Sequence, residues 1–220
     1  LVLRGGAGVF TGRVPFVWLS NQFTNSGMLF GTVDAKTTGI NGGNGFDPNI
    51  ENQQNMGSGS KRAEVNLVSD DFKIPQVLRF NLAGDFKLPG GINATLEGMV
   101  SKTMNNIVYS DINISGSNGN IDPALSGGAD VRPNYAGQRV NSTDITNVIL
   151  MSNSSRGYTY SLTTQLQKSF GFGLDLMAAY TNGQSASIND GNSSTALSNW
   201  EFTQIVTSPN NPPLANSNFD

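Results

Sequence analysis

The chain has 220 residues, a formal net charge of −3, no cysteine and no histidine; only 13% of its residues are charged and 37% hydrophobic, against ~25% charged in an ordinary soluble domain. That balance excludes a basic nucleic-acid surface, a disulfide framework, thiolate chemistry and every site built on imidazole. No run of ~18 apolar residues exists, so the sequence holds no transmembrane helix; Asn, Ser, Thr and Gly make up the balance.

Leu3, Gly5, Ala7 and Val9 make one apolar face of a first strand over Leu1 to Phe10. A long excursion from Thr11 to Ile74 follows. Within it, Val14 to Leu19 reads as a continuation of the strand or as a loop anchor, with the continuation preferred. Gly39 to Gly59 is Gly/Asn-rich, and Val65 to Val68 is a candidate short strand.

From Pro75 to Leu88 the pattern becomes strictly alternating, as a strand with unlike faces requires. Leu78, Phe80, Leu82, Phe86 and Leu88 interleave with Arg79, Asn81, Ala83, Asp85 and Lys87. Pro89-Gly90-Gly91 turns the chain, and Ile92, Ala94, Leu96 and Val100 then alternate with Asn93, Thr95, Glu97 and Ser101. A polar connection is expected from about Asn105 to Asn147, with Ile114 to Gly137 a loop by composition. Asn147 to Phe170 returns as one strand, Gly171-Phe172-Gly173 turns, and Leu174 to about Gln184 leaves again; a second long loop runs from Ser185 past Trp200.

The hairpin over Arg156 to Gln184 carries the most information. Tyr158, Tyr160, Leu162, Leu166 and Phe170 fall on one face and Thr159, Ser161, Thr163, Gln165, Gln167 and Ser169 on the other. Soluble strands average ~5–6 residues, whereas a strand that crosses a bilayer needs ~9–11. Tyr160 and Phe170 are ten steps apart, which at ~3.3 Å per step and ~40° tilt is ~25 Å along the membrane normal, the height of the apolar band of an outer-membrane barrel. Connection lengths agree: turns of a few residues at one end alternate with long loops at the other, as in barrels with short periplasmic turns and long extracellular loops. Compact soluble domains seldom carry unstructured loops beyond ~12–15 residues. The expected fold is therefore all-β, a segment of an antiparallel transmembrane β-barrel located in the outer membrane.

In such a barrel Arg4, Arg79, Asp85, Glu97 and Asp175 face the polar lumen, where they stay hydrated. They are the candidate site residues, as lumenal ion pairs or as the lining of a substrate route. Gly57-Ser58-Gly59-Ser60-Lys61 lacks the spacing of a phosphate loop. Asp70-Asp71 and Asp190-Gly191-Asn192 lack the ligand series of a helix-loop-helix calcium site and read as turn residues. No catalytic residue, metal site or cofactor is expected. The few strands and the absence of a signal segment point to a piece of a larger barrel.

Several stretches carry a resemblance. Leu3-Arg4-Gly5-Gly6-Ala7-Gly8-Val9-Phe10-Thr11-Gly12-Arg13, Pro15 to Gln22, Asp71 to Arg79, Leu88-Pro89-Gly90-Gly91, Ser155 to Lys168 and Ser193 to Trp200 are similar to the barrel of TonB-dependent outer-membrane receptors, especially the Oar-like group of Bacteroidetes. The resemblance implies a barrel of ~22 strands plugged by an N-terminal domain, with outer-membrane lipid around it. It also implies an imported ligand of unknown identity and energy relayed from TonB through the plug. Neither plug nor TonB-contacting box lies in this sequence, so residues 1–220 read as a partial barrel domain, and contact with the missing plug is a further reading of Arg4, Arg79, Asp85, Glu97 and Asp175. A passive porin and a surface-exposed β-rich adhesin are the competing readings.

Overall fold

The computed structural model describes residues 1–24, 48–49, 51, 63–121, 127, 130–203 and 207–218. The Gly57 to Lys61 stretch lies outside them, as does most of the Gly/Asn-rich excursion. Among the described residues the elements are β1 (Val2–Thr11), α1 (Phe16–Thr24), β2 (Ala63–Val68), β3 (Gln76–Leu88), β4 (Ile92–Asp111), β5 (Ile145–Ser154), β6 (Tyr158–Ser169), β7 (Asp175–Ser187), α2 (Ala196–Glu201) and β8 (Ala215–Asn216).

The strands are ordered β1-β3-β4-β6-β7-β8, with β5 between β2 and β4. Every pairing along the main path is antiparallel. The registers fix the faces, because residues directly opposite one another share a side. Leu3, Gly84 and Leu96 form one such row, and Ala7, Phe80, Val100 and Tyr160 another. On the reverse side Asn81, Met99 and Ser161 line up, as do Thr163 and Thr181. The period-two reading thus holds across five strands, with one apolar and one polar face.

Short reversals close the turn end. Gly90 and Gly91 have φ of 79° and 72°, a region open to glycine at little steric cost, which lets three residues reverse the chain between Leu88 and Ile92. At the other reversal Phe170 N donates to Leu174 O at 2.8 Å and Gly173 N to Phe170 O at 3.0 Å.

The loop end is more structured than composition suggested. β4 does not stop near Thr103 but continues to Asp111, where it pairs with β5. Lys102 lies opposite Tyr158 and Asn106 opposite Ser154, four residues further on both strands, so β5 and β6 are one descending ribbon interrupted at Ser155 to Gly157. The expected single return from Asn147 to Phe170 therefore stands in register, with a break. On the opposite edge of β4, Gln76 pairs with Asn105 and Val77 with Thr103, leaving Met104 as a bulge. Bulge and break lie at one level and divide a lower sheet from an upper one, as bulges do where a sheet bends.

Val14 to Leu19 does not continue the first strand. From Phe16 the chain is helical, and Trp18 N donates to Pro15 O at 3.0 Å at the helix entry. Trp18 and Asn21, three apart, share a buried helix face. The Trp18 indole donates to Ser193 O at 2.8 Å, the Asn21 amide to Ser194 O at 2.9 Å, and the Trp18 ring meets Tyr109 edge-on at 5.8 Å. A strand would have sent alternate residues away from this contact; the loop-anchor alternative describes the segment. The expected short strand at Val65 to Val68 is β2, parallel to β5.

Trp18, Ile107, Tyr109, Ile149, Met151 and Ala196 form the buried apolar cluster, all on the loop side of the bend. In the lower sheet the apolar face is bare: Leu82 is 65% exposed, Leu162 51% and Tyr180 70%. Among the described residues no second layer stacks on its leucines and aromatics, as one would in a soluble sandwich.

Candidate functional site

All five candidate charges lie on the polar face. Arg4 is opposite Ala83, Glu97 is opposite both Ala83 and Thr163, Arg79 is opposite Ser101, and Asp175 is opposite Ser169 near the turn end. The structure brings Arg4 and Asp85 together, Nε to carboxylate at 3.3 Å, with the Thr95 hydroxyl on the other carboxylate oxygen at 2.7 Å. Both ion-pair side chains are more than a third exposed, so the pair adds little stability. Arg79 stands apart: its Nε donates to the Ser101 hydroxyl at 3.1 Å and its guanidinium lies 5.5 Å from the Phe10 ring centre. Glu97 and Asp175 join neither group.

Hydroxyls pair across strands on the same face. Thr163 and Thr181 share a hydrogen bond of 2.8 Å, and Thr159 and Ser185 one of 3.1 Å. Such cross-strand pairs satisfy polar side chains without charge.

At the loop end the polar face runs into a cavity of about 430 Å³ whose walls include Phe10, Val77, Thr103, Thr159, Ser185 and Asp190. Smaller cavities of about 190 and 250 Å³ share Asn189 and Asp190 with it as walls. The segment at Asn189 and Asp190 therefore borders the loop end of the polar face. Asp190 is an anchor in that wall: its oxygens accept from the Ser217 hydroxyl at 3.0 Å and from Asn218 N at 2.7 Å, which agrees with its reading as a turn residue. In the same way, Asp71 accepts from the Ser69 hydroxyl at 2.5 Å. Among the described residues no cluster of three or more carboxylates is arranged to hold a metal ion.

The upper storey is held by a buried charge the sequence did not single out. Asp111 is fully buried. One of its oxygens accepts from Asn113 N and Val148 N, both at 3.0 Å; the other accepts from Arg139 at 2.9 Å and the Asn147 amide at 2.7 Å. Asn210 closes the knot, accepting from Asp111 N at 2.7 Å and donating to Asp111 O at 2.8 Å. A buried carboxylate with this many donors is paired and saturated, as burial of a charge demands. Burial pushes the nearby Tyr109 hydroxyl well above its ordinary range. In the loop between β4 and β5, hydrogen bonds from the Arg132 side chain and backbone hold the Asp130 carboxyl down at about 2.

Two cations also escaped the alternation argument. Lys102 lies opposite Tyr158 and Lys168 opposite Ile92, so both fall on the apolar face, one at each end. Their signal in the sequence is parity: they are the charges of the five long strands that break the alternation below the bend.

A family model described as an outer membrane beta barrel domain matches residues 1–220. Comparison with curated proteins and with solved structures gives no match.

Proposed function

The chain belongs to the outer membrane beta barrel domain family and is a protein of the outer membrane, and on that premise we propose that it forms part of the wall of a TonB-dependent receptor of the Oar-like group, which captures a ligand outside the cell and imports it. In this reading residues 1–220 are one stretch of the barrel. The plug, the TonB-contacting box and further strands belong to other parts of the protein. The polar face with Arg4, Arg79, Asp85, Glu97 and Asp175 lines the interior, and the apolar face meets lipid. The work is binding and passage, with no enzymatic step and no cofactor.

The observation that carries this reading is the cavity of about 430 Å³ at the loop end of the polar face. A concave wall at the end of the polar face, with Thr103, Thr159, Ser185 and Asp190 converging on it, suits first contact with a small polar ligand, because it offers several hydrogen-bonding groups in one place. A passive porin needs an open path instead. The test places the intact barrel protein in liposomes and follows swelling in neutral sugar solutions, alongside nutrient uptake by cells treated with a protonophore. The expected result is no swelling, and uptake that stops when the proton gradient collapses. Swelling, or uptake indifferent to the protonophore, would replace the receptor by a porin. A protein recovered from the aqueous phase without detergent would replace it by an adhesin.

A further inference from the structure

We propose that Lys102 and Lys168 are phosphate-binding positions for membrane lipid, marking the headgroup levels of the two leaflets, with Lys102 in a built headgroup site on the outer side. Between the rows that hold the two lysines, from the Ala94 row to the Val100 row, the apolar face of the lower sheet is uncharged: Leu96, Leu82, Leu162 and Ala178 lie on it. Every acidic residue of these strands below the bend (Asp85, Glu97, Asp175) is on the other face, so neither lysine has an anion beside it in the lower sheet. Lys102 and the row partner of Lys168, Ile92, are ten steps apart along β4, which is ~25 Å along the membrane normal and equals the height of the apolar band. The two ammonium groups therefore sit where hydrocarbon gives way to headgroups, at the depth where long basic side chains reach the polar layer.

Aromatic rings accompany both. Lys168 Nζ lies 4.7 Å from the centre of the Phe170 ring. Lys102 is opposite Tyr158, whose ring stacks on Tyr160 at 6.4 Å and 7°. The Tyr160 hydroxyl donates to Gln184 at 3.4 Å, and the Gln184 amide donates to Asn216 at 2.8 Å. The outer rim thus presents one cation, two parallel rings and an amide ladder above a surface that is uncharged and mostly apolar, with Thr164 and Asn182 its polar members in the middle rows. An anionic phosphate on a headgroup, with acyl chains lying down the apolar face, complements all three.

The experiment measures lipids retained by the detergent-purified intact barrel protein that contains this chain, in native mass spectrometry after addition of dioleoyl phosphatidylglycerol or dioleoyl phosphatidylcholine. The chain is expected to retain phosphatidylglycerol about five-fold more tightly per lysine, the factor set by one cation near an anionic surface. Lys102→Gln should lose that factor, Lys102→Arg should keep it, and Lys87→Gln, which removes the same charge from the polar face, should keep it. Raised salt should abolish the preference. The proposal is overturned if Lys102→Gln retains phosphatidylglycerol as the unaltered chain does, or if Lys87→Gln loses as much. Should Lys102→Gln fail to fold, a preference that salt leaves untouched in the unaltered chain overturns it equally.

Discussion

Leu162 and Thr163 are neighbours in β6 on opposite faces, and an arginine at each gives different outcomes. Leu162 is opposite Gly98, which is opposite Leu82. It is four steps from Tyr158 and six from Lys168, or ~10 and ~15 Å from the two rims along the membrane normal. An arginine there enters near mid-depth of the hydrocarbon, which costs ~2–4 kcal/mol in barrels of this kind, a factor of about 30 to 900 in the folding equilibrium. Thr163 is opposite Glu97. An arginine there meets a carboxylate on the hydrated face and gives up the hydroxyl bond to Thr181, and the two offset to within ~1 kcal/mol. The assay is reversible urea unfolding of the barrel containing this chain in phospholipid vesicles, followed by heat-modifiable mobility on gels and by circular dichroism. Equal costs at the two positions, or a larger cost at Thr163, would refute the assignment of faces.

Asp111→Ala removes four hydrogen bonds and strands Arg139 and Asn147; a cost of ~3–5 kcal/mol is expected, confined to the upper storey and visible as faster proteolysis between residues 112 and 144 with the lower strands intact. Gly157→Ala puts a Cβ at 2.6 Å from Thr103 Oγ1 on a residue with φ of 141°, so a loss of ~1–3 kcal/mol is expected, measured as a lower urea midpoint; an unchanged midpoint would show that the break between β5 and β6 has no fixed geometry. The contact between Asp130 and Arg132 depends on pH with a definite sign. The carboxyl is lowered in the folded state from 3.8 to about 2, so the stabilisation is present above the unfolded value and disappears as pH falls through the folded one. Carboxyl-carbon NMR of Asp130 should give a midpoint near 2 that rises toward the ordinary value in Arg132→Gln, and a midpoint unmoved by that substitution would contradict the pairing.

The lower sheet was legible because a sheet with lipid on one side and polar groups on the other writes its faces directly into residue parity. Leu78 to Leu88 and Tyr158 to Phe170 show this, and the register keeps Arg4, Arg79, Asp85, Glu97 and Asp175 on one side without exception. The upper storey was hidden for the converse reason. β4 beyond Met104 looks like the start of a loop because Asn105-Asn106 interrupts the apolar set, and only pairing with distant β5 and packing under Trp18 holds it extended. The helix at Phe16 was mistaken because a short apolar run carries no period; its burial on Tyr109 decides, and Tyr109 lies far off in sequence. Asp111 has no local mark at all: its partners Arg139, Asn147 and Asn210 come from three separate segments.

One continuous ribbon, β4 with β5 and β6, obeys two different rules of burial on either side of Met104 and Gly157. Above that level Ile107, Tyr109, Ile149 and Met151 are buried, and α1 and α2 exist largely to cover them. Below it Leu96, Val100, Tyr160, Leu162 and Leu166 are left bare. In water each bare side chain of this size forgoes ~1.5–3 kcal/mol of burial, and a chain able to build a helical cover for the upper half would gain by building one for the lower. Among the described residues the lower half is uncovered because its surroundings are already apolar, and the change of rule at the bend is where hydrocarbon ends and water begins.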